Sequence, residues 1–166
     1  MPELPDVELY LHALGPRIVG RPLRGVGFAS PFLLRSVSPP ISAIEARTVV
    51  ALRRLGKRLV WRFDNGLYLV LHLMIAGRLH WFAAGAKKSA RAVLAAFVFD
   101  TGTLTLTEAG TKRRASLYVF RDEKALAQHD PGGLEVLEAS FEEFRGRLAA
   151  ENHTLKRALT DPRSFS

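Results

Sequence analysis

Residues 58–73 read RLVWRFDNGLYLVLHL, and this stretch decides the fold. Leu59, Trp61 and Phe63 alternate with Arg58, Val60 and Arg62, the period-two pattern of a strand with one buried face. Asp64, Asn65 and Gly66 supply a turn, and an apolar run returns over residues 67–73, so the stretch predicts a β-hairpin. A second hairpin is expected where residues 96–100 meet 103–107 across Thr101 and Gly102, with Leu104 and Leu106 facing inward and the threonines outward. Short strands separated by turn signals fill residues 21 to about 120 and predict an antiparallel β-sandwich.

Helices flank this region. Val7, Tyr10, Leu11, Leu14 and Ile18 recur at offsets of three and four, predicting an N-terminal amphipathic helix with Gly20 as its stop. Gly15 and Pro16 weaken its last turn. HDPGG at 129–133 collects turn formers and marks a boundary between a β unit over 1–130 and a helical unit over 131–166. Ser140 with Glu143 forms a capping box ahead of Phe141, Phe144 and Leu148, and Asn152 is expected to cap a helix carrying Leu155 and Leu159 that Pro162 ends. Two short helices with nothing to pack against make a poor unit, so the chain is expected to stop partway into a helical module. The fold class is mainly β with flanking helices, α+β.

The 166 residues are 48% hydrophobic, enough for a core. Lys and Arg number 24 against 16 Asp and Glu, a net charge of +8 that calls for a polyanionic partner, nucleic acid first. The sequence contains no cysteine, which excludes disulfides, thiol nucleophiles and cysteine zinc sites within it. No apolar run has membrane-spanning length, and Glu3, Asp6 and Glu8 stand where a signal peptide is basic, so a cytoplasmic location is expected.

Pro2 follows the initiator Met1, whose removal is expected and leaves a secondary amine beside the Glu3 carboxylate. A terminal amine titrates at about 7.7–8.0, more than two units below lysine, and so supplies the neutral nucleophile that Schiff-base chemistry needs. Glu3 is placed to act as general acid or base. The plain alternative is that Pro2 only starts a helix. Lys57, behind Gly56 in RRLGKRL, reads either as a solvated turn lysine or as a phosphate contact. His72, inside LVLHLMIAG, reads either as a hydrogen-bonded core residue or as a contact residue. Three basic loops hold Lys112, Arg113 and Arg114; Lys87, Lys88 and Arg91; and Lys156 and Arg157. His12, His80, His129 and His153 show no metal-ligand spacing, so no metal site is expected.

PELPDVE at the N-terminus, LGKRL around 57, HLMIAG at 72–77, the arginine pair at 113 and NHTLKRALTD near the end together resemble the bacterial formamidopyrimidine-DNA glycosylases over nearly the whole chain. The resemblance implies a bifunctional base-excision enzyme, a glycosylase and abasic-site lyase for oxidised purines such as 8-oxoguanine and formamidopyrimidines. It implies Pro2 as the Schiff-base nucleophile, Glu3 as acid/base, and Lys57 in phosphate contact and β-elimination. DNA contacts are implied for His72, Met74, Ile75, Arg113 and Lys156, with Arg113 filling the gap left by an everted nucleotide. The implied partner is damaged double-stranded DNA, bound by a monomer with no membrane and no cofactor held in this chain. Several positions depart from the family. Its HLGMSG becomes HLMIAG, which puts Ile75 at an apolar wedge position and Met74 at a glycine position. Its RRFG becomes RRAS, so Ala115 replaces a stacking phenylalanine, and EAGTKRR is longer than the usual turn. The family continues into the rest of a helix-two-turns-helix module and a four-cysteine zinc finger, so the chain is expected to be a fragment or a short homologue. The alternative function is a catalytically weak or inactive DNA-binding homologue.

Overall fold

The computed structural model describes residues 2–86, 93–109, 112–150 and 152–165. In chain order these form α1 (Leu4–Ile18), β1 (Gly25–Phe28), β2 (Val49–Leu55), β3 (Arg58–Phe63), β4 (Tyr68–His72), β5 (Gly77–Ala83), β6 (Val93–Phe99), β7 (Gly102–Glu108), β8 (Ser116–Phe120), α2 (Glu123–Ala127), α3 (Phe141–Ala149) and α4 (Leu155–Thr160). The strands make two four-stranded antiparallel sheets, ordered β1-β6-β7-β5 and β2-β3-β4-β8. This is the expected sandwich.

The opening hairpin pairs Leu59 with Leu71 and Trp61 with Leu69. Its turn is closed by Phe63 N–H donating to the Leu67 carbonyl at 2.9 Å and Gly66 N–H to the Phe63 carbonyl at 3.0 Å, with Gly66 at φ +81°, where a side chain is disfavoured. Leu59, Trp61, Phe63, Leu69 and Leu71 face Phe97, Phe99, Leu104 and Leu106 of the other sheet, and Val7, Leu14 and Ile18 of α1 join the same core. Trp61 meets Phe97 edge-on at 5.1 Å. Each such buried side chain contributes about 1.5–3 kcal/mol.

The outer faces differ from expectation. Thr103 and Thr105 are buried rather than solvated, because the register sets these small side chains between Phe82 and Val98 and between His80 and Ala96. Val60, Tyr68, Val70 and Phe120 form a second core on the far side of the β2-β3-β4-β8 sheet, closed by Leu126 of α2. Burial on both faces explains why residues 67–73 are continuously apolar instead of alternating.

Past residue 130, Ser140 and Glu143 form the expected capping box: Ser140 N–H donates to Glu143 Oε2 at 2.8 Å and Glu143 N–H to Ser140 Oγ at 3.3 Å. Thr154, not Asn152, caps α4, its hydroxyl accepting the Arg157 N–H, since α4 starts at Leu155 and a cap must sit directly before it. These helices do find partners: Phe144 packs on Phe165 at 4.9 Å, Leu134 bridges to Phe165, and Arg147 donates to the carbonyls of Gly132 and Ser164. Lys87, Lys88 and Arg91 lie outside the described residues.

Candidate active site

The turn between β2 and β3 joins Leu55 to Arg58 through Gly56 and Lys57, and Gly56 at φ +55° is the residue that permits so tight a reversal. It throws Lys57 toward the start of α1, where its Nζ forms an ion pair with Glu3 Oε2. Glu3 is the helix N-cap; its N–H donates to Asp6 Oδ2 at 2.8 Å and its carbonyl accepts the Val7 N–H at 3.1 Å. Both bonds fix the peptide that follows Pro2. Pro2 itself is buried, and it lines a cavity of about 200 Å³ together with Lys57, Arg58, His72, Met74 and Ile75. Pro131, Thr160 and Phe165 close the far wall, so residues on both sides of the HDPGG stretch share the cavity.

His72 ends β4, paired in register with Arg58 on one side and Ser116 on the other. Burial, then the positive charges of Arg58 and Lys57, push its pKa down from 6.5 to about 4. The imidazole is therefore neutral at physiological pH and keeps one N–H to donate. It is half-buried and lines the cavity.

Beyond His72 the chain reverses between Leu73 and Gly77. Gly77 N–H donates to the Leu73 carbonyl at 3.0 Å, and a Cβ at 77 would fall 2.4 Å from that oxygen, so only glycine closes the turn. Met74 sits at φ +54°, a left-handed conformation that glycine adopts freely and other L-residues do not. Ile75 at the tip is 49% exposed.

Pro2, Glu3, Lys57, His72, Met74 and Ile75 are thus brought together. Arg113 and Lys156 are exposed and do not line the cavity; Arg113 stands just ahead of β8, whose first residue pairs with His72, and Lys156 lies on α4, whose Thr160 does line it. Two further residues escaped the sequence reading. Arg54, with its side chain only 8% exposed, bonds Glu8 of α1 and Glu135, tying α1 and the segment past residue 130 to β2. Glu108, at 1% exposure, accepts backbone N–H groups from Arg114 and Ala115. Glu108 stands six places ahead of Arg114, whereas the partners of Arg54 lie 46 and 81 residues away and leave no local trace. Among the described residues, no group of three His, Cys, Asp or Glu stands close enough to hold a metal.

The family profile described as formamidopyrimidine-DNA glycosylase N-terminal domain matches residues 1–131. A formamidopyrimidine-DNA glycosylase of Mycoplasma genitalium is 28% identical over 158 residues, and one of Solibacter usitatus is 31% identical over 163. The alignments take in 94% and 96% of this chain but only 55% and 58% of those proteins. Among solved structures, the Lactococcus lactis Fpg in complex with abasic-site DNA superposes with a TM-score of 0.85 at 20% identity, covering 99% of this chain and 62% of that one. The fold and the profile over residues 1–131 agree, and the chain belongs to the formamidopyrimidine-DNA glycosylase family.

Proposed function

We propose that this chain carries the catalytic part of a bifunctional DNA glycosylase and abasic-site lyase that acts on oxidised purines through a Schiff base at Pro2. The observation that carries this reading is the cavity in which buried Pro2 meets Lys57 and the neutral His72, with Glu3 ion-paired to that lysine. With Met1 removed, the neutral Pro2 nitrogen attacks C1′ of an everted nucleotide. The glycosidic bond breaks and its electron pair leaves with the base; the Pro2 nitrogen gives up its proton, its lone pair then expels O4′, which takes a proton from Glu3, and with the C1′–O4′ bond open the iminium forms. The iminium acidifies the C2′ protons, and loss of one expels the 3′ phosphate. Glu3 moves the protons, Lys57 holds the flanking phosphate, and His72 donates its N–H to the backbone. Ile75 and Met74 wedge into the stack, and Arg113 and Lys156 add contacts to the duplex.

Residues 1–130 supply the chemistry on this reading, and 131–166 begin a helical DNA-binding unit. The net charge of +8 favours DNA, and on this reading the protein acts as a monomer in the bacterial cytoplasm. The Lactococcus relative's abasic-site DNA supports the choice of substrate. The test is strand scission of duplexes carrying an abasic site or 8-oxoguanine. Scission of both is expected, and its loss on terminal acetylation. Cleavage by a fully acetylated chain would remove Pro2 from the mechanism, and cleavage of the abasic duplex alone would remove the glycosylase half.

A further inference from the structure

We infer that Glu108 is a positioning residue that locks the basic loop ahead of β8 to the turn carrying Met74 and Ile75; this rests on the DNA-binding reading above. The Glu108 side chain is a buried carboxylate that accepts backbone N–H groups: Oε2 lies 2.8 Å from the Arg114 nitrogen and 3.0 Å from the Ala115 nitrogen, and Oε1 lies 3.0 Å from that same Arg114 nitrogen. Burying a carboxylate is costly unless hydrogen bonds replace its water, and these charge-assisted backbone bonds do so. Its own backbone stands opposite Gly77, the residue that closes the wedge turn through its bond to Leu73. One residue therefore grips both DNA-facing loops.

The consequence is preorganisation. Lys112, Arg113 and Arg114 are all exposed, and a loop pinned at 114 and 115 presents them at a set distance from Ile75 instead of on a free tether. The ordering cost of the loop is met during folding, not on association with DNA.

The test is a double-mutant cycle on binding of the chain to a duplex holding a tetrahydrofuran abasic-site analogue, read by anisotropy across added salt. Glu108→Gln puts an amide among N–H donors and should weaken binding roughly tenfold, the loss of one good charge-assisted interaction. It should also flatten the salt slope by about 1, one phosphate contact. In a Lys112→Ala/Arg113→Ala/Arg114→Ala background the same change should cost less than about twofold, because the side chains it positions are gone while the backbone N–H groups it holds remain. Should Glu108→Gln not fold, Glu108→Asp, which keeps the charge and shortens the reach, enters the same cycle with a smaller loss in the same direction. Unchanged binding, or an equal loss in both backgrounds, overturns the inference and leaves Glu108 a stabilising residue only. A parent chain that shows no salt-dependent DNA binding instead overturns the functional reading beneath it.

Discussion

Met74 offers a stability test with an inverted sign. At most positions alanine is favoured over glycine by about 0.4–1 kcal/mol, because glycine has more unfolded-state freedom to lose. At φ +54° the balance reverses. A left-handed backbone costs an L-residue roughly 1–2 kcal/mol that glycine does not incur, so the net preference is about 0.5–1 kcal/mol for glycine. Met74→Ala and Met74→Gly both remove the half-buried side chain, so packing losses largely cancel in the comparison. For a chain of this length about 2–4 °C of Tm accompanies each kcal/mol, which places Met74→Gly roughly 1–4 °C above Met74→Ala. Thermal or urea unfolding of the two variants measures this directly. Arg145, exposed within α3, serves as the control, since there alanine should exceed glycine by about 1 kcal/mol. Alanine equal to or better than glycine at 74 would refute the left-handed turn and with it the placement of the wedge.

Gly77→Ala should destabilise by about 2–4 kcal/mol, since its Cβ would meet Leu73 backbone atoms at 2.4 and 2.9 Å; a Tm within 1 °C or so of the parent would mean the turn is looser than described. For His72 the folded pKa of about 4 lies below the unfolded 6.5, so the unfolded state binds more protons between them. Its contribution is complete above pH 6.5 and fades as pH falls toward 4. Discounted for partial exposure, His72→Asn should remove on the order of 1–2 kcal/mol of the stability difference between pH 7 and pH 4, and an unaltered pH profile would contradict the burial of the ring. Lys57→Ala should cut strand scission by roughly a hundredfold or more while shifting stability by less than about 1 kcal/mol, because its pair with Glu3 is partly exposed; normal cleavage would remove the lysine from the site.

The sandwich was legible because the strongest signals are local. Alternation through Leu59, Trp61 and Phe63, the Asp64–Asn65–Gly66 turn and the 3.6-residue spacing of Val7, Leu14 and Ile18 each act within one element. Pro2, Glu3, Lys57 and His72 were legible as chemistry-bearing residues by type and motif, but their meeting at one cavity is a property of the fold. What stayed hidden depends on contacts distant in sequence. The second core needs Leu126 to arrive over Val60 and Val70, and the burial of Thr103 and Thr105 needs strands paired on both sides of β7. Glu108 looks like any acid at a strand end until the loop folds back over it. The α4 cap was misjudged by two residues, Asn152 for Thr154, because either side chain can accept a helix N–H and only the backbone decides which is in place.

The central claim is that the Pro2 amine bonds to the sugar. The most direct measurement is borohydride reduction of the chain on abasic-site duplex, followed by proteolysis and mass mapping of the cross-linked peptide. The account predicts a stable adduct whose modified residue is an N-terminal Pro2 freed of Met1. An adduct mapped to Lys57 or another lysine, or no adduct on DNA that the chain visibly binds, would contradict it.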